Sequence, residues 1–351
     1  MMSDKHGATV LLTGNGGYIG TVMTRYLNTK YRVIGLDSGY YEESLLFPVV
    51  DGEKPYKQIT KDLRDVVEDD LDGVDTVIHL AGLSNDPLGD LNPELTDQIN
   101  CGATVKLARA AKKKGAKRFI FSSSCSIYGL SEKDVPVKEE GEINPLTAYA
   151  KAKVDAELAL MALADENFHP VLMRNATVYG LSPKLRLDLV VNNLLAWAYL
   201  TGEIAIMSDG TPWRPIIHVR DLCDAFMAVL EEPAEKMGRQ VFNVGLDGEN
   251  YQVRDIAYKI KKFLPEARVT ILNKTGADER SYRVDFSKIR RMAPGFKPLW
   301  GLEKGIEELL GAYKKHRLSI EDFESDKFFR IRTVKSLIKS GKVDEKLRRS
   351  V

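Results

Sequence analysis

Residues 8–20 read Ala-Thr-Val-Leu-Leu-Thr-Gly-Asn-Gly-Gly-Tyr-Ile-Gly, and this stretch decides the fold. The apolar run predicts a strand over residues 8–12, and the pattern from residue 18 predicts a helix. Between them, Gly14, Gly17 and Gly20 follow the spacing G-x-x-G-x-x-G. Such glycines permit a tight turn, close approach of backbone to a pyrophosphate, and close packing of helix on strand. The stretch therefore predicts the first strand–turn–helix unit of a dinucleotide-binding sheet.

The alternation of strands and helices continues through the first half of the chain. Further strands are predicted over residues 31–36, 56–60, 76–80, 118–122 and 169–174. Helices are predicted over residues 18–28, 93–114 and 147–167. This alternation is typical of a parallel sheet that is covered on both faces. The predicted fold class is α/β, with a Rossmann-type doubly wound parallel sheet and a smaller C-terminal substrate-binding lobe.

The domain organisation follows from a change of pattern after residue 180. Residues 1–180 are predicted to form the NAD-binding domain, and residues 181–316 mainly the substrate-binding lobe. A later strand near residues 241–244 is predicted to return to the first domain, so the two parts interleave. Residues 317–351 are predicted to form a charged helical tail that packs on the surface.

Composition excludes several classes of function. The chain has 351 residues, a net charge of +1 and 44% hydrophobic residues, without a basic block or a long apolar run. Neither nucleic-acid binding nor a membrane span is therefore expected. Three cysteines form no C-x-x-C pair and five histidines lack ligand spacing, so no metal site is predicted. No signal peptide is evident, and a cytoplasmic location is expected.

Asp37 ends the predicted second strand, 23 residues after Gly14. An acid at this place accepts hydrogen bonds from both ribose hydroxyls and repels a 2′-phosphate, which predicts NAD rather than NADP as the cofactor. A turn aspartate is the alternative interpretation. Asp62, just after the third strand, is predicted to accept from the adenine amine, with an ordinary helix N-cap as the alternative.

Small residues follow the fourth predicted strand, where a cofactor must pass over the sheet edge. Ala81 and Gly82 occupy this place. Asn100 is a polar residue inside an apolar helical pattern, and is predicted to fix the helix or a catalytic lysine; surface exposure is the alternative. The remaining predicted cofactor contacts are Tyr18, Ile19, Leu63 and Ser122.

Tyr149 and Lys153 are four residues apart in a predicted helix, which places a phenol and an ammonium on one face. The ammonium favours ionisation of the phenol, and the positive nicotinamide ring of the cofactor can contribute as well, so Tyr149 is predicted to act as a general base with a lowered pKa. Activity near neutrality would require a decrease of about three units from about 10, or about 4 kcal/mol. The serines 122–124 lie where the fifth strand ends, which is where ligands bind in a doubly wound sheet.

Three motifs occur in a recognisable order: the glycine turn, Ser-Ser-Ser-x-x-x-Tyr-Gly at residues 122–129, and Tyr-x-x-x-Lys at residues 149–153. Over residues 8–310 the chain resembles the extended short-chain dehydrogenases/reductases, in particular the nucleotide-sugar group that includes the UDP-galactose 4-epimerases and the dehydratases. The resemblance implies that Ser124 is the catalytic hydroxyl, that Tyr149 is the base, and that Lys153 binds the nicotinamide ribose and tunes Tyr149.

The resemblance extends into the second half of the chain. It implies that Asn193 in Val-Asn-Asn-Leu approaches a nucleotide diphosphate, and that Arg214 in Trp-Arg-Pro-Ile-Ile-His-Val-Arg-Asp binds it. Arg280 is similar to a second diphosphate-binding arginine, with Arg283 as its competitor. The substrate contacts are completed by Ser124, Ser126 and Thr177. A nucleotide-diphosphate sugar is thus the implied partner, together with a homodimer formed through residues 93–114 and 147–167.

Departures from the group limit the reaction. The dehydratases carry an Asp-Glu pair where this chain has Cys125 and Ser126, so dehydration and decarboxylation are not expected. Thr177 replaces an asparagine, and Ser84 replaces a lysine of the epimerases. The preferred interpretation is an NAD-dependent 4-epimerase of UDP-hexose type that works through a transient 4-keto sugar. The alternatives are a 4-dehydrogenase or 4-ketosugar reductase with net redox, and a redox-silent NAD-binding sensor.

Overall fold

The structure is a computed structural model that describes residues 7–131, 135–274 and 280–349. The first six residues of the predicted first domain and the last two of the predicted tail lie outside these ranges. The strands are β1 (Thr9–Thr13), β2 (Arg32–Asp37), β3 (Lys57–Thr60), β4 (Thr76–His79), β5 (Arg118–Ser124), β6 (His169–Asn175), β7 (Thr177–Tyr179), β8 (Glu203–Ile206), β9 (Trp213–His218), β10 (Val241–Val244), β11 (Asn250–Gln252) and β12 (Arg268–Ile271).

Helices alternate with these strands along the chain. The α-helices are α1 (Tyr18–Leu27), α2 (Asp86–Gly89), α3 (Pro93–Asp97), α4 (Ala103–Lys113), α5 (Ala148–Ala162), α6 (Val190–Thr201), α7 (Val219–Glu231), α8 (Ala234–Met237), α9 (Val253–Phe263), α10 (Ser287–Met292), α11 (Leu302–Lys315), α12 (Ile320–Glu324) and α13 (Arg330–Lys339). A π-helical segment, Gln98–Gly102, joins α3 to α4. Short 3-10 helices occur at Asp51–Glu53, Leu63–Asp65, Glu68–Leu71 and Cys125–Tyr128.

A sheet of seven parallel strands forms the centre, in the order β10-β6-β5-β4-β1-β2-β3. Successive residues of a strand point to opposite faces, and the core follows this rule. Val10 and Leu12 pack in one apolar cluster, whereas Leu11 between them packs in another. Because all three side chains are fully buried, both faces of the sheet are covered. The predicted doubly wound α/β fold is confirmed.

The second lobe contains two small sheets, β11-β9-β7 and β12-β8, with α6, α9 and α11 around a separate apolar cluster. β10 lies at the edge of the central sheet beside β6, as predicted for residues 241–244. Two long helices differ from their predicted extents. The helix predicted over residues 93–114 is divided by the π-helical segment, and the one predicted over 147–167 ends at Ala162.

The tail does more than pack on the surface. We call residues 328–349 the strap. Its apolar residues share a buried cluster with the segment after β4, and the members of this cluster include Leu83, Leu88, Leu95, Ile99, Val334, Val343 and Leu347. The strap is also held at the end of β2, because Tyr40 donates a hydrogen bond to the carbonyl of Leu347 and Arg349 donates to that of Ser38.

Candidate active site

The glycine turn between β1 and α1 is built for close backbone approach. Gly14 has a φ of 74°, and a Cβ added there would lie 2.8 Å from the amide nitrogen of Ala81. A Cβ at Gly20 would lie 2.0 Å from the carbonyl oxygen of Gly14, so a side chain is excluded at both positions. No side chain caps the N-terminus of α1. Its amide donors therefore remain available for an anion.

A cavity opens beside this turn, and the predicted cofactor contacts converge on it. Those that line it are Gly14, Gly17, Tyr18, Ile19, Gly20, Asp37, Asp62, Leu63, Ala81 and Gly82. Asn100 is not among the lining residues. It is buried, and its side chain brackets the backbone of Leu83, accepting from the amide at 2.7 Å and donating to the carbonyl at 3.0 Å. Asn100 thus fixes the loop after β4 and is not on the surface.

The two predicted acids occupy different positions within this cavity. The carboxylate of Asp37 accepts from the amides of Gly16 at 3.1 Å and Gly39 at 2.7 Å, and its pKa is raised because removal from water outweighs these bonds. Asp62 caps the 3-10 helix and accepts three hydrogen bonds from Arg64. The N-cap interpretation of Asp62 therefore describes its contacts, and recognition of adenine by this residue stays a prediction.

A larger cleft of about 730 Å³ adjoins this cavity, and Tyr18, Ile19 and Gly82 line both. It brings together residues that are far apart in sequence. The predicted site residues that line it are Ser122, Ser124, Ser126, Tyr149, Lys153, Thr177, Arg214 and Arg280. The carboxyl end of β5 and the first turns of α5 supply the serines, Tyr149 and Lys153, and the second half of the chain supplies the arginines. Asn193 is not among the lining residues, because its side chain donates to the carbonyl of Leu187 at 2.6 Å.

Lys153 lies between the sheet and Tyr149. Its ammonium donates to the carbonyl oxygen of Ser122 at 2.7 Å and stands 4.5 Å from the ring centroid of Phe121 and 5.7 Å from that of Tyr149. Burial lowers the pKa of Lys153 to about 8, against the opposing charge of Glu157. Because this value lies above 7, most of the side chain carries its positive charge at neutral pH.

The pKa of Tyr149 moves in the direction opposite to the prediction. Removal from water and the negative charge of Asp86 raise it to about 12, although Ser124, Arg186 and Arg280 act in the opposite sense. The prediction of a lowered pKa is therefore wrong for the protein alone. The free energy lost by removing a phenolate from water exceeds the stabilisation that the neighbouring cations of this chain provide. Tyr149 therefore keeps its proton at neutral pH.

The three serines at the end of β5 have different surroundings. Ser122 accepts a hydrogen bond from the amide group of Asn175 at 2.9 Å, and Ser123 is turned into the interior, where it donates to Glu157. Ser124 faces the cleft, and its hydroxyl accepts from the amide of Ser126 at 3.1 Å. The buried hydroxyl of Ser126 has no hydrogen-bond partner among the described residues. Ser122, Ser124 and Ser126 therefore keep a hydroxyl proton that can meet a ligand oxygen, whereas the proton of Ser123 is engaged by Glu157.

Arg280 lines the cleft, whereas Arg283, the alternative candidate, does not. The Nη1 atom of Arg280 lies 2.6 Å from a carboxylate oxygen of Asp86, whereas the guanidinium of Arg283 lies 4.9 Å from the ring centroid of Trp213. Arg214 donates to the carbonyl oxygens of Trp213 and Arg280. The arrangement favours Arg280 over Arg283 as the ligand-facing arginine.

Sequence reasoning missed six charged residues that line these cavities: Lys61, Asp86, Asp90, Arg186, Asp188 and Arg330. Asp86 begins α2, after an Asn N-cap and before a proline, at the carboxyl side of β4. That N-cap signal at a sheet edge could have pointed to it. Arg186 and Asp188 form a bidentate pair with distances of 2.8 and 3.1 Å. They lie in a loop without a periodic pattern, so no comparable signal marked them.

The comparisons with known proteins agree with this arrangement. The NAD dependent epimerase/dehydratase family matches residues 10–245. The chain belongs to this family. It is accordingly an NAD-dependent enzyme of the extended short-chain dehydrogenase/reductase type that acts on nucleotide sugars. The glycine turn, the acid at the end of β2 and the uncapped amides of α1 fit the dinucleotide.

Relatives within the family carry several reactions. The UDP-glucose 4-epimerase of Bacillus subtilis (strain 168) is 27% identical over 331 residues, which cover 86% of this chain and 94% of the relative. The structure of MoeE5 in complex with UDP-glucose and NAD is 26% identical, with a TM-score of 0.75 and coverage of 88% and 99%. TunA, an NAD dependent NDP-hexosamine 5,6-dehydratase, shares the fold, with a TM-score of 0.78, 24% identity and coverage of 88% and 98%.

Two further properties concern the described residues alone. None of their helices combines the length and the apolar character that crossing a bilayer requires. Among the same residues, no group of three or more histidine, cysteine, aspartate or glutamate side chains is placed to hold a metal ion.

Proposed function

We propose that the protein is a 4-epimerase of a nucleotide-diphosphate hexose, of UDP-hexose type, which works through a transient 4-keto sugar. The observation that carries the proposal is the placement of Tyr149, Lys153 and Ser124 in one cleft that adjoins the glycine-turn cavity. Arg214 and Arg280 line the same cleft. A sugar whose diphosphate is held by these arginines can therefore present its ring to the phenol.

The catalytic residues divide the chemistry of C4 between them. A dinucleotide held beside the glycine turn and Asp37 would supply the hydride acceptor and donor that this chemistry requires. Tyr149 takes the proton of the 4-hydroxyl and gives it back after the keto sugar has turned over, while Ser124 holds the same oxygen by a hydrogen bond. Lys153 supplies positive charge beside the phenol from its place at the carbonyl of Ser122. The two arginines bind a part of the substrate that does not react, and so position the carbon that does.

The surroundings of Cys125 and Ser126, which stand where the dehydratases carry an Asp-Glu pair, support epimerisation over dehydration. Cys125 is buried and its thiol contacts the carbonyl of Arg174 at 3.1 Å, while Ser126 faces the cleft with a hydroxyl. Asp86, whose negative charge acts on the phenol, is engaged by Arg280 and by the hydroxyl of Thr147. Each carboxylate oxygen of Asp86 is therefore already engaged by another side chain, which disfavours a role of this acid in eliminating water.

Product analysis tests the proposal. The enzyme is incubated with UDP-glucose and with other nucleotide hexoses, and the sugar products and NADH are quantified. The C4 epimer without net NADH is the expected result. Net NADH would instead support the 4-dehydrogenase or ketosugar reductase, and NAD binding without any turnover would support the sensor.

We also propose a homodimer through α4 and α5, and a cytoplasmic location. Leu158 of α5 is 67% exposed on a helix that packs on α3 and α4, which leaves an apolar residue for a second subunit to cover. The three cysteines are free thiols, as in a reducing compartment. Light scattering of the purified protein, compared with that of Leu158→Glu, tests the dimer; an unchanged mass of one chain for both would reject it.

A further inference from the structure

Arg330 has an unusual position for a charged side chain. It is the first residue of α13, it is only 2% exposed, and its guanidinium carbon lies 3.9 Å from the ring centroid of Tyr41. Both terminal nitrogens are buried and have no hydrogen-bond partner among the described residues. Burial of an ionised group without an acceptor is costly, so the arrangement indicates a missing anion.

The neighbouring charged groups are already satisfied. Arg186 is paired with Asp188, Lys184 donates to the carbonyls of Tyr41 and Glu42, and Asp37 accepts from two backbone amides. The backbone amide of Arg330, not its guanidinium, contacts Asp188 at 3.4 Å. Arg330 is therefore the group in this cluster with unused hydrogen-bonding capacity.

Arg330 lines the cavity beside the glycine turn, together with Gly14, Gly17 and Ile19. It interacts electrostatically both with Asp37, at the ribose end of this cavity, and with Arg186, which also lines the catalytic cleft. Its guanidinium is consequently close to both groups, on the wall of this cavity. The linkage that joins the two halves of a dinucleotide, and that faces the uncapped amides of α1, is a diphosphate.

We propose that Arg330 of the strap binds the diphosphate of the dinucleotide cofactor in the cavity beside the glycine turn. The proposal rests on the NAD dependence of the family and is independent of the 4-epimerase assignment. It adds a binding residue that lies outside residues 10–245, which the family matches. The planar fork of arginine suits the two oxygen-rich groups of a diphosphate.

Two other phosphate groups share this chemistry, and the position of Arg330 disfavours both. A 2′-phosphate would stand next to the carboxylate of Asp37, which repels it. The diphosphate of the substrate would lie near Arg214 and Arg280, which line the cleft, whereas Arg330 does not. The binding experiment separates these sources.

The experiment compares Arg330→Met with Arg332→Met in protein freed of nucleotide. Methionine keeps an apolar stem over Tyr41, and Arg332 is an exposed arginine of the same helix. Calorimetry measures the affinity for NAD, ADP, adenosine, NADP and UDP. We expect Arg330→Met to weaken NAD and ADP by roughly 10- to 100-fold, the range of a charged hydrogen bond, with adenosine and UDP unchanged. Arg332→Met should bind all five as the parent protein does.

Each contrary outcome overturns the assignment. If Arg330→Met bound NAD and ADP with wild-type affinity, Arg330 would not contact the diphosphate. Loss of NADP affinity alone would point to a 2′-phosphate, loss of UDP affinity alone to the substrate, and equal loss of adenosine and ADP to a merely structural strap.

The melting temperature of the nucleotide-free protein provides a second readout. Removal of an unpartnered buried charge should leave it unchanged or raise it, whereas removal of a structural contact would lower it. If Arg330→Met does not fold, Arg330→Lys keeps the charge without the planar fork. It should then show a smaller loss for NAD and ADP, and wild-type affinity for both would reject the role of the fork.

Discussion

At the scale of single residues, burial acts on Tyr149 and Lys153 in opposite directions. It raises the pKa of the phenol to about 12 and lowers that of the ammonium to about 8. Both shifts favour the uncharged forms, so the pair is costly to ionise in the protein alone. Further positive charge is needed for Tyr149 to act as a base, and the oxidised nicotinamide ring of NAD carries such a charge.

The first prediction concerns the ionisation of Tyr149. Titration of the protein with NAD should lower the pKa of this phenol towards neutrality, because the cation lies beside it, whereas NADH should not. The ultraviolet difference spectrum of phenolate measures the change, with Tyr149→Phe as the control that lacks it. The same variant should lose at least about a hundredfold in turnover, the usual contribution of a general base, while binding NAD normally.

The second prediction concerns Lys153→Met. A pKa of about 8 in the folded protein against an ordinary value of about 10.5 means that the charged lysine destabilises the fold below pH 8, by on the order of 3 kcal/mol. Between pH 8 and 10.5 the unfolded chain binds the proton and the folded chain does not, so the parent protein gains stability relative to the variant as pH rises. Urea unfolding at pH 7 and pH 9.5 measures this.

Against that gain, the carbonyl of Ser122 loses its donor in Lys153→Met. We therefore expect the variant to be inactive yet no less stable than the parent at pH 7, and relatively less stable at pH 9.5. A difference that did not vary with pH would show that the lysine is not strained by burial.

At the scale of elements, a buried ion pair anchors α5, the helix that carries Tyr149 and Lys153. Arg174 of β6 donates to both carboxylate oxygens of Glu157 of α5, at distances from 2.7 to 3.1 Å, and both side chains are 5% exposed. Ser123 of β5 donates to the same carboxylate. Because Glu157 lies one turn beyond Lys153, this network fixes the helix face that carries the catalytic pair.

The third prediction is that Glu157→Leu destabilises the protein by about 3 kcal/mol, since one partner of a buried pair is left without its counter-charge. The low end of the usual range applies because Arg174 still donates to Tyr128 and to the carbonyl of Glu139. Chemical denaturation measures the free energy of unfolding. Asp155→Leu, an exposed acid on the same helix, is the control and should change it by less than about 0.5 kcal/mol.

At the scale of the whole molecule, the strap brings the C-terminal tail to the cavity beside the glycine turn. Its apolar residues Val334, Val343 and Leu347 complete a cluster with residues after β4, and its arginines bond to the end of β2 and to Asp62. Tyr40, which donates to Leu347, also lines the cofactor cavity. One wall of that cavity therefore depends on a segment far along the chain from the glycine turn.

The fourth prediction is that Val334→Asp detaches the strap. A carboxylate cannot be accommodated at a position that is 1% exposed, so the strap should lose its docking while the sheet and the three larger apolar clusters remain. NAD should then dissociate faster, as measured by displacement with a fluorescent analogue, with little change in the main unfolding transition. Lys335→Asp, on the exposed side of the same helix, should release NAD at the parental rate.

The sequence predicted local patterns well and long-range contacts poorly. The seven strands of the sheet lie within one or two residues of their predicted positions, because buried parallel strands form short apolar runs between turn signals. The break in the helix after Pro93 was missed, since it coincides with the contact between Asn100 and Leu83. Arg330 was missed for the same reason: a basic residue in a charged tail has no local pattern that marks it as buried.

The strap lies near the C-terminal end of the sequence, after all the strands. All seven strands of the sheet, together with the glycine turn, precede residues 328–349, so the nucleotide platform can form while the strap is still undocked. If Arg330 holds the diphosphate as proposed, release of a bound dinucleotide requires this single segment to open locally, at a fraction of the free energy of global unfolding. The opening rate of the strap would then set how long one cofactor molecule stays through repeated turnovers.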